Sequence, residues 1–471
     1  MKRIGIVGGG IAGLAAAFEL LDASRGGANA VDVTVFESAP QPGGNIRTEE
    51  IDGYRVEWAV NGFLDNAPDT LALVERLGLS DRLVRANPAA ARRFIYRGGR
   101  LHFVPVSPPA FFASPLLSIG GRLRVLGEPF VPARRAADGD ESVFDFAARR
   151  IGAEAARVLV DAMVTGIFAG NARTLSLAST FPKMAEMERE HGGLVKAMLA
   201  KRRAARARPR GSAGGGPAGP GGHLTSFLDG MEELTRALAG RLGERLVVGA
   251  DVESLTENAA HDGAASPAPR YALRFASGQT QSFDAVLLAC PSWRAAELTA
   301  PLDADLSRHL GAIASAPVAV VALGYRLDDL GAAPDGFGYL IPRGEGLRPL
   351  GALFDSNLFP GRAPAGRALI RVLVGGAHEP ALVSAGDTEL LALARETLAA
   401  APGIRATPVF TSIIRHARGI PQYTLGHAAR VASIDDRLAA HPGLFVSGNS
   451  YHGVSVNACI AEARQLAGRV G

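Results

Sequence analysis

Cysteine is nearly missing from this chain, and so are a dominant sign of charge and any long apolar run. Two cysteines, Cys290 and Cys459, in 471 residues allow one disulfide at most. That excludes a stapled secreted scaffold and fits buried thiols in a reducing compartment. Lysine and arginine number 50 against 46 acidic residues, a formal charge of +4, so there is only a mild pull toward anionic partners. No apolar stretch reaches the roughly 18 residues that cross a bilayer, which leaves peripheral contact as the only membrane option. Metal-ligand spacings, a nucleophile elbow and a reactive thiolate motif are absent as well. His191, His223, His416 and His427 are scattered and read as structural.

What is present begins at the amino terminus. Lys2 to Val7 is an apolar, β-branched strand that runs straight into Gly8-Gly9-Gly10-Ile11-Ala12-Gly13. This is a dinucleotide-binding turn opening a helix: Gly8 allows the tight turn, Gly10 lets a pyrophosphate approach the backbone, and Gly13 seats the helix on its strand. Free N–H groups and the positive helix end then face the phosphates. A second strand, Val31 to Phe36, ends in Glu37, whose carboxylate suits two ribose hydroxyls and disfavours NADP. Just beyond, Ser38 leads to a second glycine pair, Gly43-Gly44, followed by Asn45.

Length and a hydrophobic content of 47% predict two or three domains. We expect an α/β fold in which a Rossmann-like nucleotide-binding domain is assembled from residues 1–80, 223–299 and 406–471. Residues 81–200 read as a mainly helical insert, with Phe144, Ala148, Ile151, Ala155, Val158, Ala162 and Thr165 on one helix face. Residues 201–222 are basic, then rich in glycine and proline, and read as a flexible insertion. Residues 300–405 alternate strands and polar turns and read as a mixed sheet. Phe103 to Val131 is proline-rich and apolar; a membrane-facing lip and buried packing both fit it. Near the carboxyl end, Gly443 to Asn449 is a strand and glycine turn leading to a helix from about Ser455.

The second glycine pair resembles the extended FAD fingerprint of the flavin amine oxidase superfamily. Four further segments narrow the likeness to the protoporphyrinogen and coproporphyrinogen oxidase family: Arg92 to Tyr96, Thr165 to Gly170, Gly336 to Pro342, and Gly419 to His427. The resemblance implies FAD and an oxidation of protoporphyrinogen IX, with six electrons leaving as three hydride equivalents and dioxygen as acceptor. Coproporphyrinogen III is the close variant. A meso C–H between pyrroles is a good hydride donor, so positioning matters more than a strong acid or base.

Residue roles follow from the same resemblance. FAD would be held by Gly8, Gly9, Gly10, Ile11, Ala12, Gly13, Glu37, Ser38, Gly43, Gly44 and Asn45. Ala59, Val60, Asn61, Gly62, Val252, His416, Asn449, Val454, Ser455 and Val456 complete that set. Arg93 would pair with a propionate, Phe168, Ala169, Leu340 and Phe354 would contact the macrocycle, and Asn61 and Gly166 would position the reacting centre. Core packing competes for Leu340, Phe354 and Val252, and a solvated surface competes for Arg93. Several positions depart from the family pattern: Asn45 replaces an arginine, Ala59-Val60 replaces Gly-Pro, His416 replaces an aromatic, and Asp229 replaces a glycine. No nucleic-acid partner is expected. The chain reads as cytoplasmic, with a peripheral lip that could touch the inner face of the cell membrane, and a homodimer is left open. A flavin amine oxidase, a polyene desaturase and a non-catalytic flavin scaffold remain as alternatives.

Overall fold

The computed structural model describes residues 1–25, 30–105, 107–134, 139–206, 222–258 and 270–470. Most of the basic insertion expected at 201–222 lies outside them. Five parallel strands form the nucleotide-binding sheet, in the order Leu246–Val248, Val31–Glu37, Lys2–Val7, Ala285–Leu288, Leu444–Val446. Strands buried on both faces need apolar residues throughout, and Ile4, Ile6, Val33, Val35, Val286 and Leu288 are all almost fully buried. Helices Ile11–Arg25 and Val456–Val470 cover one face through Leu14, Leu20, Ile460 and Leu466. The other face meets an antiparallel sheet, Val252–Glu257, Tyr271–Phe275 and Thr280–Phe283, through Leu273, Phe275 and Phe283.

A seven-stranded sheet forms the second body. Its order is Phe410–Pro421, Ser315–Arg326, Arg367–Gly375, Gly351–Leu353, Gly338–Leu340, Arg93–Arg97, Arg100–Phe103. All pairings are antiparallel except that of Gly338–Leu340 with Arg93–Arg97. Side chains alternate across it. Val321 and Leu323 pack with Leu390 and Leu398 of helix Asp387–Ala400. Val320 and Ala322 point the other way, onto Tyr54 and Val56 of the hairpin Thr48–Ile51/Tyr54–Glu57 beside the nucleotide-binding domain.

Three features differ from the sequence expectation. Arg93 to Phe103 lies within the segment read as mainly helical, yet it supplies two strands of the large sheet. The β-branched and aromatic run Phe94-Ile95-Tyr96 suits that place. Phe410–Pro421 likewise joins this sheet, along the whole of Ser315–Arg326, so it does not open the third nucleotide-binding segment. The helix expected from Phe144 to Thr165 is interrupted: Val143–Ile151 ends at Gly152, with φ 95°, and a π turn at Ala156–Val160 precedes Asp161–Phe168. Both cysteines are free and buried, and burial pushes each thiol up to about 12.

Candidate active site

The glycine turn and Glu37 come together because Val7 and Phe36 are register partners. One Glu37 carboxylate oxygen accepts the Gly9 N–H at 2.7 Å and the other accepts the Ala39 N–H at 2.8 Å. Each oxygen keeps a lone pair for a hydroxyl donor. The glycines divide into two kinds. A Cβ on Gly13 would stand 2.0 Å from the Gly8 carbonyl oxygen, so the fold itself demands glycine there. A Cβ on Gly10 would meet nothing within 4 Å; the space over it is open to a ligand. The second glycine loop is bonded directly to the first, Gly43 N–H donating to the Gly9 carbonyl at 2.8 Å and Gly43 bridging Gly10. Helix Ile11–Arg25 has no acidic residue in its first turn, leaving its positive end, with Ile11 and Ala12, unopposed. Ser38, Gly44 and Asn45 are exposed beside it.

Arg47 was not foreseen. It lies over the Trp58 ring at 4.8 Å, donates to the Gln41 carbonyl at 3.0 Å, and keeps a buried Nε with no partner. The lone arginine two places beyond Asn45 was the available signal. Trp58 in turn meets His416 edge-on at 6.2 Å, and its carbonyl is bonded to His416 Nε2 at 2.9 Å. A carbonyl oxygen only accepts, so that nitrogen is the donor, and burial lowers the His416 pKa. Ala59 is exposed, Val60 packs on the nucleotide-binding core, and Gly62 sits tight against the Thr225 carbonyl.

At the carboxyl end, the buried Tyr423 hydroxyl donates to the Asn449 carbonyl at 2.6 Å and accepts the Gly453 N–H at 2.8 Å. It thereby braces the turn ahead of helix Val456–Val470. Ser455 caps that helix, its Oγ accepting the Ala458 N–H at 3.1 Å. Val454 is half-buried and Val456 buried, and the first turn carries no acid. Val252 is a core valine packed with Phe36, and its carbonyl is taken by Arg294 at 2.8 Å. That bond leaves the oxygen a second lone pair, so a backbone contact to adenine stays open.

Across the large sheet, register partners align. Ala322, Arg371, Leu353, Gly338 and Arg93 form one row; Val320, Leu373, Gly351, Leu340 and Ile95 form the next. Leu340 and Leu353 are half-buried, and the exposed Gly166 backbone packs on Leu340 so closely that a Cβ would come within 2.8 Å. Ile167 beside it is 46% exposed. Arg93 ends its row, 5.0 Å from the Phe337 ring centroid. Arg93 is exposed, as a surface arginine would be, yet partial loss of hydration lowers its pKa and it has no acidic partner among the described residues, whereas Arg92 is paired with Asp335. Three expected contacts lie elsewhere. Phe354 follows Leu353 by one residue and so points to the opposite face, into the core with Tyr339. Phe168 is buried among Phe144, Leu175 and Phe181. Ala169, in the left-handed region at φ 46°, is buried against Val318 and Leu350. Asn61 reaches the row from the nucleotide-binding side, its Nδ2 donating to Asp355 at 3.3 Å.

The profile of the flavin containing amine oxidoreductases matches residues 11–471. The chain belongs to that family. This family is one of oxidoreductases, and FAD is the cofactor. The chain is 30% identical to the coproporphyrinogen III oxidase of Bacillus subtilis (strain 168), over 98% of this chain and 96% of that one. It is 34% identical to the protoporphyrinogen oxidase of Macaca fascicularis, over 99% and 98%. A crystal structure from Exiguobacterium sp. 255-15, provisionally described as a protoporphyrinogen oxidase, superimposes with a TM-score of 0.83 at 24% identity, covering 100% of this chain and 98% of its own. That likeness establishes the fold. The cradle suits the family's cofactor: the open space over Gly10, the paired glycine loops and the unpartnered Arg47 Nε suit an anionic pyrophosphate, and the spare lone pairs of Glu37 suit hydroxyl donors.

Proposed function

We propose that this flavoprotein oxidises protoporphyrinogen IX to protoporphyrin IX, three dioxygen molecules taking six electrons and leaving as three hydrogen peroxides. FAD, when bound, supplies the hydride acceptor and the link to dioxygen. The chain's own residues bind and orient. Arg93 carries this reading: an arginine without an acidic partner, at the end of a row floored by Leu353 and Gly338, suits a carboxylate on a flat apolar body. The Leu340 and Ile167 side chains and the bare Gly166 backbone support the same body from the insert side. Tyr423 and Ser455 hold the helix start that favours charge developing on the flavin ring.

Coproporphyrinogen III is the second reading, supported by the Bacillus subtilis relative. We further propose that the lip meets a lipid surface, since Ile119, Leu123, Leu126 and Phe130 are 71%, 61%, 52% and 89% exposed. No described helix is long and apolar enough to cross a membrane. The test is anaerobic mixing of the flavin-loaded protein with each porphyrinogen. Flavin bleaching, then porphyrin fluorescence on admitting air, is expected for the true substrate; a flavin that stays oxidised with both would sink the proposal.

A further inference from the structure

The row that ends in Arg93 holds a second arginine in the opposite state. Three strand spacings of roughly 4.8 Å separate Arg371 from Arg93, or about 14 Å. Arg371 is fully engaged: it grips both oxygens of Asp355 and donates its remaining Nη to the Glu57 carbonyl. Asp355 Oδ1 accepts one more bond, from Asn61 Nδ2 at 3.3 Å. The other end of that carboxamide, Asn61 Oδ1, is buried with no partner.

A carboxylate held by a two-pronged guanidinium can only accept. It admits the NH2 end of Asn61 and repels the oxygen, so the network sets which way the amide faces. Asp355 and Arg371 are 3% and 1% exposed, which leaves neither free to turn to water. We propose that Asp355, braced by Arg371, is a positioning residue that fixes Asn61 with its oxygen turned away from the carboxylate, as the acceptor for an N–H of the bound flavin or tetrapyrrole. For the tetrapyrrole this rests on the porphyrinogen reading above; for the flavin it rests on the family alone. In either case Arg93 takes an anionic edge at the far end of the row.

Asp355→Asn tests it, because a carboxamide in place of the carboxylate offers a donor as well as an acceptor and lets Asn61 turn round. If flavin is the donor, the variant should bind FAD about tenfold more weakly and shift its visible spectrum, with KM for porphyrinogen unchanged. If the tetrapyrrole is the donor, kcat/KM should fall about tenfold while FAD affinity and spectrum stay as in the parent. In an Asn61→Leu background, Asp355→Asn should do nothing further to either quantity. Additive effects, or a variant matching the parent in FAD affinity, spectrum and kcat/KM, overturn the proposal. Should Asp355→Asn fail to fold, Asn61→Leu alone decides, since it keeps the Asp355–Arg371 pair, and parental values in all three measurements again overturn it. A parent protein inactive on both porphyrinogens would defeat the substrate reading separately, leaving FAD affinity and spectrum to judge this one.

Discussion

Around Glu37, recognition is built from backbone: two glycine loops bonded to each other and one carboxylate, all within the first 44 residues. Across the Arg93 row, the substrate face proposed above, it would be built from side chains that five strands, far apart in the chain, bring to one face. The first arrangement is local and needs particular residues at fixed spacing. The second needs a register, and many residue types satisfy a register. Backbone recognition tolerates almost no substitution where loops touch, whereas the sheet face has single positions that carry charge and neighbours that only fill space.

Gly13→Ala puts the largest strain on that comparison. Its Cβ would collide with the Gly8 carbonyl, so we expect loss of both folded protein and bound flavin. Gly10→Val should separate the two: thermal stability of the apoprotein close to the parent's, flavin content near zero. A Gly10→Val protein that purifies yellow would show that the cofactor does not lie over this turn.

The seam between the two regions supplies the next test. Glu57, 2% exposed, is paired with Arg362 at 3.3 Å and accepts the Met231 N–H at 2.9 Å. Burial raises its pKa to about 7, with Arg362 pulling the other way. Between its ordinary value and about 7 the folded chain keeps a proton that the unfolded chain has released. Stability from this group is therefore full at acid pH and is lost as pH rises through that interval, by up to about 3 kcal/mol. Denaturant midpoints from pH 5 to 8 should fall for the parent and fall less for Glu57→Gln; equal slopes would remove Glu57 from the account.

On the sheet face, Arg93→Ala should raise KM by roughly 10- to 100-fold, the range for a charged hydrogen-bonded contact. Flavin content should not change. A parental KM would return Arg93 to the class of surface arginines, where the sequence alone also allowed it to belong.

The difference between the regions also explains what was legible. Gly8 to Gly13 and Glu37 could be read because their chemistry is fixed by short spacing. Leu340 and Arg93 came from motifs, but Phe354 was chosen where Leu353 faces the row. A motif locates a strand, while its side-chain alternation depends on pairing that the sequence does not print. Phe168 was taken from the Thr165–Gly170 motif, whereas the fold packs it among Phe144, Leu175 and Phe181. Arg47 and Tyr423 were overlooked because each is engaged through a contact that no motif prints, the Trp58 ring for one and the Asn449–Gly453 turn for the other. The Asp355–Arg371 pair was invisible, since neither residue belongs to a motif and Asp355, the first residue of the short helix Asp355–Leu358, meets Arg371 and the loop residue Asn61 only in the fold.

The smallest effect is expected at the lip, which belongs to neither region. Ile119, Leu123 and Leu126 recur at helical spacing on Ile119–Leu126, and Phe130 follows on the next turn. Arg124, on the same helix, donates to the Arg149 and Arg150 carbonyls, so the helix is tied down while its apolar side chains stay in water. Leu123→Ser with Phe130→Ser removes apolar area without touching either site. At roughly 25 cal/mol per Å², such side chains are worth about 1.5–3 kcal/mol each when fully buried, and less when only the headgroup region is reached. Co-sedimentation with phospholipid vesicles should therefore drop severalfold, with flavin content and turnover of detergent-dispersed porphyrinogen unchanged. Binding to vesicles equal to the parent's would assign these side chains to some other use.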